Sequence, residues 1–176
     1  MRIGIDLGGT KIEGIALQDS GDIPVRKRVS TPQNDYHAIV NAVVSLVQDL
    51  ETEYREKGSV GIGIPGSVSA ETGLIRNANT VCLIGNDLQN DLQNKLDRPV
   101  RLANDADCFA LSEASDGAGK DCDSVFGVII GTGCGSGIVI NKKLLEGANL
   151  IAGEWGHNPL PWPKDSERPG RQCYCG

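Results

Sequence analysis

The feature that most narrows the possible folds is the spacing of two apolar runs, Ile3 to Leu7 and Lys11 to Leu17, parted only by Gly8-Gly9-Thr10. Both runs are rich in β-branched residues, and a gap that short turns a strand straight back on its neighbour. Val25 to Val29, after a Gly-Asp turn, supplies a third run, so the opening predicts an antiparallel meander. The same plan returns later. Val125 to Ile130, the loop Gly131-Thr132-Gly133-Cys134-Gly135-Ser136-Gly137, and Ile138 to Ile140 again read as strand, glycine-rich turn and strand. Many of the 23 glycines gather in such loops, where a missing side chain lets backbone approach a ligand. Two turns of this kind, one opening each half, would grip a triphosphate between two lobes.

Between the two halves the pattern alternates helix and strand. Thr31-Pro32-Gln33-Asn34-Asp35 breaks the chain and offers caps for a helix on which Ile39, Val43, Val47, Leu50 and Tyr54 recur until Gly58. Val60 to Ile64 predicts a buried strand, Leu88, Leu92 and Leu96 a second helix, and Val100 to Ala103 a strand leading into Asn104-Asp105. A third helix is expected from about Asp107 to Ser115. From Gly117 to Ser124 the composition turns to Gly, Lys, Asp and Ser, which suggests a boundary between residues 1–118 and 119–176.

Charge and composition exclude several functions. The 23 acidic and 17 basic residues give a net charge of −6, and no basic stripe attracts a nucleic acid backbone. No apolar run is long enough for a membrane helix, and Met1-Arg2 leads directly into a strand, so a cytoplasmic address is expected. Cys82, Cys108, Cys122 and Cys134 are far apart and read as reduced, whereas Cys173 and Cys175 form a C-x-C pair among polar residues.

The first turn, Asp6-Leu7-Gly8-Gly9-Thr10-Lys11, has the groups a phosphate needs: amides exposed by Gly9, donors on Thr10 and Lys11, and a carboxylate on Asp6 for Mg²⁺. Alone it is equally a tight hairpin. It is not a Walker loop, because Thr10-Lys11 reverses the required order and no helix follows. The Rossmann spacing at Gly61, Gly63 and Gly66 is accidental, since Pro65 removes an amide and no helix opens there. Asp105 sits where a strand gives way to a helix, a place from which a carboxylate can take a hydroxyl proton or merely cap the helix. Glu154-Trp155-Gly156-His157 suits the hydroxyls of a small polar ligand. His157 could equally join Cys173 and Cys175 in a tetrahedral zinc site whose fourth ligand would lie beyond Gly176.

The ordered set D-x-G-G-T-K, G-I-P-G, N-D-A-x-C, G-T-G-x-G and G-E-x-G-H followed by C-x-C-G resembles the ROK family of bacterial sugar kinases and repressors along the whole chain. The resemblance implies an α/β, actin-like ATPase (ribonuclease H-like) fold, with an N-terminal lobe and the start of a second lobe that stops in a zinc-binding loop. It implies ATP with Mg²⁺, structural Zn²⁺, a hexose substrate and a homodimer. Asp6, Gly9, Thr10 and Lys11 match the first phosphate turn, and Thr132, Gly133 and Gly135 the second. Asp105 matches the catalytic base. Gly66, Asn79, Asn104, Asp105, Glu154 and His157 match sugar-binding positions, and His157, Cys173 and Cys175 match zinc ligands. Ala78-Asn79, Leu102-Ala103-Asn104-Asp105 and Gly153 to Trp162 look most like fructokinases of the manno(fructo)kinase type, making fructose to fructose 6-phosphate the leading expectation. N-acetylglucosamine, mannose and glucose are alternatives. A sugar-sensing regulator, or a sugar-binding fragment without catalysis, is the alternative of another class. Asp107 stands where the family usually has Asn and would raise the pKa of Asp105 if both faced the cleft, though i and i+2 side chains diverge on a helix.

Overall fold

The computed structural model describes residues 1–131, 133–156 and 158–170. The chain divides into two compact units, Met1–Cys108 and Phe109–Gly176.

In the first unit β1 (Arg2–Leu7), β2 (Lys11–Leu17) and β3 (Val25–Ser30) form the expected meander, Leu7 pairing with Ile12 and Lys11 with Ser30. Alternate residues of β1 and β2 point inward, so Ile3, Ile5, Leu7, Ile12 and Ala16 are buried. α1 (Tyr36–Tyr54) follows, started by Asp35, whose carboxylate accepts the Ala38 N–H at 3.0 Å. Ile39, Val40, Val43, Leu46, Val47 and Leu50 recur at helical spacing and are all buried. Burying such a side chain stabilises by about 1.5–3 kcal/mol before entropy is subtracted. The helix ends before Gly58, because Arg55 takes up a left-handed conformation (φ 62°) and returns its N–H to Glu51 O at 2.7 Å.

β4 (Ser59–Ile64) and β7 (Val100–Asn104) complete a sheet of order β3-β2-β1-β4-β7, in which β4 runs parallel to β1 and to β7. Between them lie the short hairpin β5 (Ser67–Val68) and β6 (Ile75–Arg76), and α2 (Leu88–Leu96), which buries Leu88 and Leu92. The β5–β6 hairpin goes beyond the sequence expectation, since two-residue strands leave no periodicity to read. α1 and α2 are joined by Tyr36, whose hydroxyl donates to Asp91 at 2.5 Å, and burial with the adjacent carboxylate pushes the phenol's pKa far up. The parallel strands put Asp6 beside Gly63 and Ile64 beside Asn104, so the carboxyl ends of β1, β4 and β7 share one edge of the sheet. Loops leaving such an edge bind ligands in α/β folds.

α3 (Asp105–Ser115) begins two residues before the expected Asp107, because Asn104 supplies the cap. The division between the units falls inside α3, ahead of the turn at 117–124. The physical reason lies in the second unit, where Ala110 and Ala114 already cluster with Val139 and a Cβ on Gly127 would come within 2.8 Å of Ala110 Cβ. That unit holds β8 (Ser124–Ile130), β9 (Cys134–Ile140) and β10 (Lys143–Leu144) in the order β10-β9-β8, all antiparallel. β9 starts four residues before the expected Ile138, with Gly135 opposite Ile129 and Gly137 opposite Gly127. The ladder supplies the regularity here that the glycines lack. No helix among the described residues is long and apolar enough to cross a membrane.

Candidate active site

In the first unit the turn after β1 is held from below. Gly8 N–H donates to Lys11 O at 3.0 Å, Thr31 Oγ1 donates to Gly8 O at 2.7 Å, Gln33 Nε2 to Gly9 O at 3.0 Å and Thr31 N–H to Thr10 O at 3.0 Å. Four successive carbonyls, Gly8 to Lys11, are thereby occupied. Among the described residues no hydrogen bond uses the N–H of Gly9 or Thr10, so these amides remain for an anion. Thr10 and Lys11 are exposed, and Asp6 has an exposed edge.

The charge of Asp6 reaches Asp105. Partial burial raises the Asp6 pKa, Glu13 adds to the rise, and Lys11 and Arg28 oppose it. Burial also raises the pKa of Asp105; the Ala106 N–H opposes this by donating to Oδ1 at 2.8 Å, the charge of Asp6 raises it further, and the Asn104 side chain lowers it. Two desolvated carboxylates at one strand edge favour a proton or a cation between them. Asp107 is not among the charges that move Asp105; it acts on Cys108 instead.

Asn104, the last residue of β7, donates from Nδ2 to Gly66 O at 2.9 Å and accepts the Asp107 N–H on Oδ1 at 3.1 Å. Gly66 has φ +77°, and a Cβ there would lie 2.3 Å from Arg76 O and 2.8 Å from Ala78 N. The backbone carrying Asn79 therefore lies directly against the turn after β4. Ala78 is fully buried while Asn79 is exposed, and Thr80 approaches the first turn, its Oγ1 3.4 Å from where a Gly9 Cβ would stand. One edge thus gathers Asp6, Gly9, Thr10, Gly66, Asn79, Asn104 and Asp105.

Sequence reasoning assigns no role at the site to three participants. Thr31 and Gln33 read there only as part of the break that caps the first helix, and Cys108 as a reduced thiol and the cysteine of N-D-A-x-C. The place of Cys108 three residues after Asp105 is the available signal, because i and i+3 share a helix face. Burial, Asp107, Asp105 and Asp6 raise the thiol's pKa, which favours its protonated form.

In the second unit the turn after β8 spans fewer residues than the run of glycines suggests. Gly131 N–H donates to Gly133 O at 2.9 Å, while Gly135 is already a ladder residue of β9. The Glu154 segment lies along the same strand: Ser136 Oγ donates to Gly153 O at 2.5 Å, and a Cβ on Gly153 would fall 2.0 Å from Ser136 O. Phe126 and Trp155 meet edge to face with centroids 6.2 Å apart. Glu154 is exposed beside the buried Gly153. Thr132, His157, Cys173 and Cys175 lie outside the described residues, so the zinc ligand set does too. Among the described residues no cluster of three or more His, Cys, Asp or Glu could hold a metal.

Asp6 suits Mg²⁺, which takes one or two carboxylates and completes its shell with water and phosphate. Partial burial, the first cause of its raised pKa, disfavours a lone carboxylate, and a cation would relieve that.

The model of the ROK family matches residues 2–176. An N-acetyl-D-glucosamine kinase of Aliivibrio salmonicida is 42% identical over 180 residues, covering 100% of this chain and 60% of the relative. The chain thus spans about 60% of the length of the curated relatives it matches. Among solved structures, the ROK hexokinase from Thermus thermophilus aligns with a TM-score of 0.79 at 30% identity, over 99% of this chain and 56% of that one. A ROK family glucokinase from Streptomyces griseus, solved with glucose and AMPPNP, aligns with a TM-score of 0.77 at 31% identity, over 89% and 49%. These likenesses bear out the α/β actin-like fold expected from the sequence.

Proposed function

Because the chain belongs to the ROK family, we propose that it carries the sugar-binding and catalytic half of an ATP-dependent sugar kinase. The observation that carries this reading is the half-buried Asp105, at the joint of β7 and α3, beside Asp6 and next to the Asn104–Gly66 bond. Its raised pKa moves it toward neutrality, which suits a base working near pH 7.

Mg²⁺-bound ATP supplies the phosphoryl group and screens its negative charge. The exposed amides of Gly9 and Thr10, with Lys11, hold phosphate oxygens, and Asp6 holds the metal directly or through water. Gly133, Gly135 and Thr132 serve as the second phosphate turn. Gly66, Asn79, Glu154 and His157 orient the sugar. As the sugar oxygen bonds to the γ-phosphorus, the bond from that phosphorus to the bridging oxygen of ADP breaks. Asp105 takes the hydroxyl proton. His157, Cys173 and Cys175 are suited by donor type to a structural zinc.

The hexose we infer is N-acetyl-D-glucosamine, the alternative to fructose, because the curated relatives that cover this whole chain at 42–44% identity carry that name. A panel of N-acetyl-D-glucosamine, fructose, glucose and mannose, assayed by sugar-dependent ADP release in the full-length protein, tests it. A preference for fructose would return the substrate to the leading expectation. Asp105→Asn should lower kcat by about 10²–10⁴, and an unchanged rate would remove Asp105 as the base.

A further inference from the structure

Main-chain bonds fix the two ends of the turn between β1 and β2 and leave its middle open. Gly8 N–H donates to Lys11 O at 3.0 Å and Thr31 N–H to Thr10 O at 3.0 Å, but among the described residues no backbone N–H reaches Gly8 O or Gly9 O. Those two oxygens are met by side chains instead: Thr31 Oγ1 donates to Gly8 O at 2.7 Å, and Gln33 Nε2 to Gly9 O at 3.0 Å. In a trans peptide the C=O and the N–H of the next residue point opposite ways. The bond to Gly8 O therefore aims the Gly9 N–H, and the bond to Gly9 O aims the Thr10 N–H, each away from the side chain that holds it.

Without those two bonds the aim would be lost. Gly8 and Gly9 flank the first of the two peptides, and with no Cβ on either side it can turn over at little cost. The segment that holds the turn is itself fastened at both ends. Thr31 extends the β2–β3 pairing that ends at Lys11 and Ser30, and Asp35 caps α1 through the Ala38 N–H. Neither side chain is placed to hold a phosphate itself. Thr31 is only 4% exposed. Gln33 spends both hydrogens of Nε2, on Gly9 O at 3.0 Å and Thr31 O at 2.8 Å, so its amide has only an oxygen left to present, and a phosphate oxygen needs a donor.

Resting on the reading of this turn as the first phosphate grip, we propose that Thr31 and Gln33 are positioning residues for the nucleotide, one aiming the Gly9 amide and the other the Thr10 amide, so that the anion site is set before ATP arrives. Donors fixed in advance need no reorganisation when charge is bound, whereas a turn free to flip must first be ordered by its ligand. The affinity gained this way is selective. It acts on the phosphates of ATP and ADP, while Gly66 and Asn79, proposed for the sugar, follow β4 and β6 and hang from other segments.

The experiment compares Thr31→Val and Gln33→Met, which keep the size and remove the donor, with Thr31→Ser, which keeps the hydroxyl, in the full-length protein. Expected for each of the first two is a rise of about tenfold in the KM for ATP at saturating sugar, since a hydrogen bond to a charged group is weakened rather than deleted. The KM for sugar at saturating ATP should change by less than about twofold, because that binding is untouched. Thr31→Ser should keep the wild-type KM for ATP. Calorimetric titration with Mg-ADP should show the same loss as the KM for ATP, a reading that needs no turnover. The proposal is overturned if either folded donor-less variant binds Mg-ADP as tightly as wild type, or if the sugar KM rises as much as that for ATP. It is equally overturned if Thr31→Ser is as weak as Thr31→Val, since the hydroxyl is then not what matters. Gln33 is exposed, so Gln33→Met decides alone where burial makes Thr31→Val too unstable to purify. Absence of sugar-dependent ADP release by the wild type would instead sink the kinase reading, while the Mg-ADP titration still tests the two side chains.

Discussion

Replacing Gly66 by alanine tests whether the turn after β4 is as tightly built as it looks. The new methyl would enter at φ +77°, where a side chain costs roughly 1–2 kcal/mol. It would also stand 2.3 Å from Arg76 O and 2.8 Å from Ala78 N and Asn77 C, all backbone atoms that cannot rotate aside. Relieving that overlap means shifting the segment, an overpacking cost of about 1–3 kcal/mol. The sum is about 2–5 kcal/mol, a large share of the stability of a domain this size. With a urea m-value of about 2 kcal/mol/M, the unfolding midpoint of the 176-residue chain should fall by roughly 1–2.5 M. Gly61→Ala is the control, because nothing lies within 4 Å of its Cβ, and it should change stability by less than about 0.5 kcal/mol. Equal midpoints for the two variants would refute the argument.

Asp105→Asn should unfold at higher urea than wild type at pH 7. A carboxylate with a raised folded pKa opposes folding as pH rises from its ordinary 3.8 through the folded value, so the advantage should disappear below 3.8, where both side chains are neutral. A stability gap that persists at low pH would contradict the desolvation account. Glu51 behaves oppositely: burial would raise its pKa, but Arg98 at 2.5 Å and the Gly58 N–H hold it below its ordinary 4.5. The stability it contributes is fully present above 4.5 and lost as pH falls through the folded value, and Arg98→Met should cost about 3 kcal/mol at pH 7 in thermal melts and remove that acid sensitivity. Metal analysis of the full-length protein should find zinc that Cys173→Ser abolishes; unchanged zinc in that variant would remove Cys173 from the ligand set.

Much of the first unit is legible in the sequence because its signals are local. The runs at Ile3 and Lys11 bury every second residue, and α1 repeats its apolar residues at three and four, patterns that only one face of one element satisfies. What stays hidden depends on pairing. The four residues Cys134 to Gly137 read as loop because their glycines and serine lack strand character, yet they are strand because β8 lies beside them. The start of α3 is placed late because a carboxamide before Asp105 caps as well as a carboxylate would, and the sequence cannot say which of the two residues does so. At the site, composition shows which groups are present but not that Asn104 bonds Gly66 O and the Asp107 N–H.

Asp107 is not among the charges that shift Asp105. A charge two residues along a helix points away, and at Asp107 the backbone N–H, held by Asn104 Oδ1, is what matters to the cap. The charge that does reach Asp105 comes from Asp6 on a different strand, brought near by the register that pairs Asp6 with Gly63 and Ile64 with Asn104. A residue 99 positions away in sequence therefore adds to the rise in the pKa of Asp105 that burial begins. A carboxylate whose folded pKa is raised gives up folding stability at neutral pH, and a cation bound beside it would offset that loss.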